Sequence, residues 1–98
     1  SSILYCEANR NKTNIYTNSN TKLEVFKSLK SITQMIGNPN FFRLHKSYFI
    51  NMNHIISYNI SENLVELSNG SLIPVSFRNA EVFKRKLTSP IIDAVMHN

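Results

Sequence analysis

The chain has 98 residues, enough for one compact domain, and a hydrophobic share of 42% that is ordinary for a globular core. Eleven Lys and Arg against six Asp and Glu give a net charge of +5, which favours an acidic partner such as nucleic acid or an anionic surface. The single cysteine, Cys6, excludes an internal disulfide and a thiolate zinc cluster, and no apolar run approaches the roughly twenty residues of a membrane span.

The first part of the chain predicts three strands. Residues 3–6 form a short apolar run typical of a buried strand, residues 15–17 resume strand character, and residues 22–26 alternate between apolar and polar. The polar, Asn-rich segment 7–14 is predicted to be a loop or an exposed strand edge.

A short helix is predicted next, over about residues 28–36. Its stripe is spaced by four, three and four residues and consists of Val25, Leu29, Ile32 and Ile36. Ser28 is the predicted N-cap, Gly37 stands where a left-handed C-terminal cap is needed, and Pro39 confirms the stop.

The second half of the chain is again rich in strand patterns. Residues 41–51 place apolar residues around a basic and polar centre, and three further strands are predicted over residues 55–58, 64–67 and 72–75. Asn69-Gly70 predicts a hairpin between the last two. No regular alternation of strand and helix is present, so a parallel sheet is not expected.

A terminal helix is predicted over residues 77–87. Ala80, Phe83 and Leu87 share one face, Ser76 is the predicted cap, and Pro90 is expected to end the helix. The helix is basic as well as amphipathic, which suits a DNA backbone and equally an anionic membrane surface.

The segment Arg43-Leu44-His45-Lys46-Ser47 is the first candidate for function. If it is extended, Arg43, His45 and Ser47 share one side. Leu44 and Lys46 then lie on the other side, and a loop or bulge would break that separation. Arg and Lys can donate to guanine acceptors or to phosphate, and a Ser hydroxyl suits phosphate. Without further knowledge these residues favour a simpler interpretation, with solvated surface cations and a structural histidine.

Two other polar stretches are candidates. The loop 9–13 carries Asn, Arg and Lys, which are side chains that contact base edges, although alone it is better explained as an exposed turn. Ser76-Phe77-Arg78-Asn79 stands at a predicted helix start, where backbone N–H groups bind phosphate and Arg78 could enter a groove. The alternative is a helix cap beside an exposed arginine.

No catalytic, metal or cofactor site is indicated. His45 and Ser47 lie two residues apart, but no acid is placed to orient the histidine. Cys6 lies in an apolar run, where a thiol is usually inert, and the three histidines lack metal-ligand spacing. We therefore predict a protein that is not an enzyme and needs no cofactor.

Five ordered matches carry a family resemblance. They are Ile3-Leu4-Tyr5-Cys6-Glu7-Ala8, then Ser28-Leu29-Lys30, then Phe42-Arg43-Leu44-His45-Lys46-Ser47-Tyr48-Phe49-Ile50-Asn51, then Ile55, and finally Pro74-Val75-Ser76 followed by Arg78. Together they resemble the LytTR DNA-binding domain of bacterial response regulators. The third match is similar to the family's most recognisable block, and the five cover nearly the whole chain.

The resemblance implies a mostly β fold, with elongated small antiparallel sheets, one short internal helix and a short C-terminal helix. Residues 1–98 would be a single domain, a fragment lacking an N-terminal receiver or other regulatory domain. Its loops would enter successive major grooves of double-stranded DNA at promoter direct repeats. We expect a cytoplasmic protein with no membrane partner, monomeric in isolation and paired on DNA. The alternative is a basic protein- or membrane-surface interaction module without sequence-specific DNA binding.

The resemblance also assigns residues to roles. Base contacts map to Lys12, Lys46 and Arg78, although a slip of one residue leaves Asn11 or Thr13 open in place of Lys12, and Lys46 could reach a phosphate instead. Supporting or phosphate-contacting positions are Asn9, Arg10, Asn11, Thr13, Arg43, His45, Ser47, Ser76 and Asn79. Asn9-Arg10-Asn11-Lys12 departs from the family's more usual Glu-Gly-Asn-Tyr. Replacement of Arg43 is expected to weaken specific and non-specific binding alike and to flatten the salt dependence.

Overall fold

The computed structural model describes residues 2–87, which form eight strands and two α-helices. In chain order these are β1 (Ile3–Asn9), β2 (Lys12–Thr17), β3 (Lys22–Val25), α1 (Leu29–Ile36), β4 (Phe41–His45), β5 (Tyr48–Asn51), β6 (Ile55–Asn59), β7 (Leu64–Leu67), β8 (Leu72–Pro74) and α2 (Ala80–Leu87). Single turns of 3-10 helix precede β6 at Met52–His54 and α2 at Phe77–Asn79.

The strands form two antiparallel sheets. The larger has five strands in the order β3-β2-β1-β5-β4, and the smaller has three in the order β6-β7-β8. The molecule measures 41 × 29 × 24 Å, so it is elongated. The predicted fold class, mostly β with elongated small antiparallel sheets, one short internal helix and a short C-terminal helix, is confirmed.

The core lies on both faces of the five-stranded sheet because successive side chains of a strand point to opposite sides. On one face Cys6, Ile15 and Phe49 pack with Leu29 and Ile32 of α1. On the other face a larger cluster joins the sheet to β6–β8 and α2, and its buried members are Leu4, Tyr5, Leu44, Ile50, Tyr58, Val65, Leu67, Ile73, Val75, Phe83 and Leu87. The five-stranded sheet is therefore the middle layer of the domain.

The buried thiol of Cys6 is a packing group. The residue is 0% exposed, and burial raises the pKa of the thiol to about 12. A thiol with so high a pKa is almost entirely protonated at neutral pH and hence a weak nucleophile. The sequence-based interpretation of Cys6 as inert is consistent with this environment.

The predicted internal helix is present with the predicted caps. The Ser28 hydroxyl accepts a hydrogen bond from the backbone N–H of Ser31 at 3.1 Å, and Gly37 ends α1 with φ 55°. That left-handed conformation favours glycine. Val25 ends β3 instead of joining the helix, but it packs against the same apolar cluster as Leu29 and Ile32.

The first two strands are longer than the apolar pattern alone indicates, since β1 continues to Asn9 and β2 begins at Lys12. Polar groups in this region are paired inside the sheet. The Glu7 carboxylate accepts hydrogen bonds from the hydroxyls of Tyr16 and Tyr48 and from the side-chain amide of Asn14. Burial first, and then the neighbouring Glu7 charge, raise the pKa of Tyr16 to about 12.

The turn at Asn69-Gly70 joins β7 and β8 as predicted. Its loop has three residues rather than two, because the N–H of Leu67 donates to the carbonyl of Ser71 at 2.9 Å and the N–H of Gly70 donates back to the carbonyl of Leu67 at 2.8 Å. Gly70 has φ 88° and so supplies the left-handed residue that such a loop needs.

The terminal helix begins one turn later than predicted, since residues 77–79 are 3-10 helix and α2 starts at Ala80. Ser76 is the cap, as predicted. Pro90, the predicted stop, lies outside the described residues. Within residues 2–87, no helix has both the length and the apolar character needed to cross a bilayer.

Candidate nucleic-acid interface

Two hairpin tips lie side by side at one end of the five-stranded sheet. β1 pairs with β2 on one side and with β5 on the other, so the end of β1 lies beside the start of β5. The β1–β2 tip, Arg10 and Asn11, therefore adjoins the β4–β5 tip, Lys46 and Ser47. A backbone hydrogen bond of 2.8 Å from the N–H of Ala8 to the carbonyl of Ser47 joins them.

The third candidate segment is fixed to β4. The N–H of Ser76 donates to the carbonyl of Leu44 at 2.9 Å, and the Asn79 side-chain amide donates to the carbonyl of Arg43 at 3.1 Å. The Ser76 hydroxyl in turn accepts from the N–H of Asn79 at 3.2 Å. These bonds place the start of the 3-10 turn next to the β4–β5 tip although the two are distant in sequence.

An open groove of about 390 Å³, here called the basic groove, lies between the β4–β5 tip and the segment 76–79. Its lining residues are Arg43, His45, Lys46, Ser76, Arg78 and Asn79. Three of these six carry a positive charge and none is acidic. Six residues assigned from the sequence thus share one surface, and two of them, Lys46 and Arg78, are predicted base contacts with exposed side chains.

A bulge in β4 decides which way the central block points. The register changes between Arg43, opposite Phe49, and His45, opposite Tyr48, so the simple alternation expected of an extended segment is broken. Leu44 remains buried while Lys46 becomes exposed in the tip. The bulge therefore breaks the separation that an extended segment would give, and Lys46 lines the basic groove together with Arg43 and His45.

The side chains of Arg43 and His45 form hydrogen bonds with the backbone of the β4–β5 tip. The Arg43 guanidinium donates from Nε to the carbonyl of His45 at 3.1 Å and from Nη2 to the carbonyl of Lys46 at 2.6 Å. The backbone N–H of Ser47 donates to Nδ1 of His45 at 3.1 Å. Burial lowers the pKa of Arg43. Both side chains thus fix the backbone from which Lys46 projects.

The candidate residues at and near the β1–β2 tip differ in their exposure to solvent. Arg10 and Asn11 are exposed and Asn9 is half-buried, so these three can face a ligand. Thr13 is 0% exposed, and its hydroxyl donates to the carbonyl of Lys27 at 2.9 Å. Thr13 therefore joins β2 to the segment between β3 and α1, and its side chain is not accessible to a ligand.

Lys12 is paired with an acid that the sequence analysis did not single out. Its Nζ lies 3.2 Å from Glu24 Oε2 on the neighbouring strand and 5.8 Å from the centre of the Phe26 ring. An exposed pair of this kind is worth at most about 1 kcal/mol, so a phosphate or a base can displace Glu24. Asn14 lies opposite Glu24 in the β2–β3 pair, and this register brings Lys12, two residues before Asn14, within reach of Glu24. The composition of the loop does not reveal the strand register, so this pairing could not be predicted from it.

The Arg10→Gly variant tests backbone strain in this tip. Arg10 has φ 60°, a conformation that costs an L residue free energy and a glycine almost none. We expect the free energy of unfolding to rise by about 0.5–1 kcal/mol in urea denaturation, because relief of the left-handed cost exceeds the entropy that glycine adds to the unfolded chain. Asn11→Gly is the control, because Asn11 has no positive φ and should gain nothing. Equal effects of the two variants would show that Arg10 is not strained.

Among residues 2–87, no His, Cys, Asp and Glu side chains form a group of three that could hold a metal ion. The groove instead offers guanidinium, ammonium, hydroxyl and amide donors around one opening. Such donors suit phosphate oxygens and the acceptor atoms of base edges.

The comparisons with known proteins agree on one family. A model of the LytTr DNA-binding domain matches residues 1–88. The structure is similar to the LytTr DNA-binding domain of a protein described as a methyl-accepting/DNA response regulator from Bacillus cereus, with 27% identity and a TM-score of 0.78 over 90% of this chain and 83% of that one. No curated protein matches significantly. The resemblance found in the sequence is therefore confirmed, and the chain belongs to the LytTr DNA-binding domain family.

Proposed function

We propose that this domain binds double-stranded DNA sequence-specifically, at direct repeats in promoters, as the output domain of a bacterial transcription regulator. The observation that carries the proposal is the convergence of Lys46 and Arg78 in the basic groove, which contains no carboxylate among its lining residues. A groove of this charge attracts the phosphate backbone and leaves two long donors free to reach base edges.

The contacts divide into two kinds. Arg78 and Lys46 contact bases in the major groove, and Lys12 does so after release from Glu24. Phosphates are contacted from the tips and the groove rim, by Asn9, Arg10, Asn11, Ser47, Ser76 and Asn79. Arg43 and His45 support the Lys46 tip. Phosphate contacts fix register, and the base contacts choose the sequence.

The dimensions support contact along one side of a duplex. The longest extent of 41 Å is comparable with the roughly 34–36 Å of one turn of B-DNA, and we propose that the domain contacts successive major grooves from one side. We propose that the isolated domain is a monomer in the cytoplasm, that two copies occupy paired repeats, and that the whole protein also has an N-terminal receiver or other regulatory domain.

Selection of bound duplexes from a random pool tests the function. We expect enrichment of a repeated half-site, and a gel shift at moderate salt should favour the enriched duplex over a scrambled one by the roughly thousandfold or more typical of specific binders. Equal affinity for both duplexes would instead support a basic surface for polyanions or membranes, and it would overturn the proposed specificity.

Two replacements of Arg43 distinguish the effect of its positive charge on DNA binding from the effect of its hydrogen bonds to the Lys46 tip. We expect Arg43→Ala to weaken specific and non-specific binding and to flatten the salt dependence, because it removes one of the three positive charges that line the basic groove. Arg43→Lys should keep the salt slope but still lose affinity for the selected duplex, because an ammonium cannot hold the carbonyls of His45 and Lys46 as a planar fork does. Binding titrations at several salt concentrations measure both effects. Wild-type affinity in Arg43→Lys would show that the fork does not matter.

A further inference from the structure

Phe77 is an aromatic side chain left almost wholly in solvent beside the basic groove. It is 95% exposed, the highest value among the large exposed hydrophobic residues of the described chain. Its neighbours on both sides, Ser76 and Arg78, line the groove. Single exposed apolar residues are common on protein surfaces, so exposure alone decides nothing. Phe77 differs from such residues because it lies beside the basic groove and its backbone is fixed by hydrogen bonds.

The backbone that carries Phe77 is held on both sides. Ser76 is bonded through its N–H to the carbonyl of Leu44, and Asn79 is bonded through its side chain to the carbonyl of Arg43. The N–H of Asn79 also donates to the carbonyl of Ser76 at 3.0 Å, which closes the turn around Phe77. The ring is therefore presented from a preformed turn, which reduces the ordering cost of any contact it makes.

The other strongly exposed phenylalanine of the described residues has a partner within the protein. Phe26 is 77% exposed, but the ammonium of Lys12 lies 5.8 Å from the centre of its ring. For Phe77 the structure shows no ring contact within residues 2–87. An apolar ring projecting from the rim of a cationic groove would meet whichever apolar group the bound ligand offers there.

DNA offers one such group in the major groove. The C5-methyl of thymine is an apolar feature of base edges, and phenylalanine is among the side chains that contact it. We propose that Phe77 packs on a thymine methyl next to the base pair contacted by Arg78, and so adds a specificity determinant to the proposed function, on which this inference rests. Insertion between stacked bases is the other use of such a ring, but it belongs to proteins that enter the minor groove.

The test removes the methyl group and the ring separately and then together. In the selected duplex, each thymine near the proposed Arg78 contact is replaced by deoxyuridine, which lacks only the C5-methyl. We expect Phe77→Ala to weaken binding to the thymine duplex about fourfold, which is the ratio that burial of one methyl-sized group gives. Deoxyuridine at one position should weaken wild-type binding by a similar factor, and the two changes together should cost no more than either alone.

The variant is expected to fold normally, because a side chain that is 95% exposed contributes little to the core. Phe26→Ala is the matched control, and its affinity should fall equally or not at all for the thymine and deoxyuridine duplexes. Additive losses for Phe77→Ala and deoxyuridine, or no response of the wild type to deoxyuridine at any position, would overturn the inference. Failure of the wild type to select any sequence would instead overturn the proposed function.

Discussion

The Arg78→Ala variant is expected to lose about 1–3 kcal/mol of affinity for the selected duplex and to lose base preference at one position of each half-site. Arg78 is exposed, lines the basic groove, and lies in the 3-10 turn that hydrogen bonds fix to β4. A guanidinium in that place can donate two parallel hydrogen bonds to O6 and N7 of guanine, which no other base pair accepts in the same way. Repeating the selection with the variant measures the lost preference directly.

Arg85→Ala is the matched control for this prediction, since Arg85 is an exposed arginine of α2 that does not line the groove. If Arg85 contacts DNA at all, its loss should weaken binding uniformly across sequences and lower the salt slope by about 1. The assignment of Arg78 would be contradicted by an Arg78→Ala variant that selects the same half-site with the same preference as the wild type. Unchanged affinity for the selected duplex would contradict it equally.

Replacement of Phe83 by Ala should have the largest effect on stability. Phe83 is 0% exposed, and its ring centre lies 5.6 Å from that of Phe42 and 5.1 Å from that of Tyr58. It therefore joins α2 to both sheets. Truncation of a buried phenylalanine costs about 3–5 kcal/mol, a large share of the roughly 5–15 kcal/mol that stabilises a small domain. Urea unfolding followed by circular dichroism gives the free energy directly.

DNA binding should fall with the stability of Phe83→Ala because α2 follows the turn that carries Arg78. Val82→Ala provides the comparison on the same helix. Val82 is 42% exposed, and its truncation should change the free energy of unfolding by no more than about 0.5 kcal/mol. If Phe83→Ala loses less than 1 kcal/mol, the helix is not an essential part of the core.

Local features of the fold could be predicted from the sequence, because they depend on neighbouring residues. The cap at Ser28, the left-handed Gly37 and the turn at Gly70 each need a particular side chain or φ value at one position. The order of strands and helices followed from periodicity in the same way. The full length of β1 and β2 could not be predicted from periodicity, because polar side chains continue both strands. Their hydrogen bonds to the Glu7 carboxylate satisfy them inside the sheet.

The site was harder to predict, since its geometry depends on pairing between distant strands. The sequence named Lys46 and Arg78, but only the hydrogen bonds from Ser76 and Asn79 to β4 show that they share a groove. Burial of Thr13 and the Glu24 partner of Lys12 likewise follow from the β2–β3 pairing. Loop composition contains no information about either.

The hydrogen bonds that build the basic groove have a consequence for how this domain can change its target sequence. Lys46 and Arg78 are held in place through backbone carbonyls and through the side chains of other residues, so neither contributes its own side chain to that framework. Substitutions at positions 46, 77 and 78 should therefore leave the framework intact. Under the proposed function, exchange of these side chains is the route by which divergent copies of the domain acquire new operators, and a library randomised at the three positions should yield folded variants with altered preferences.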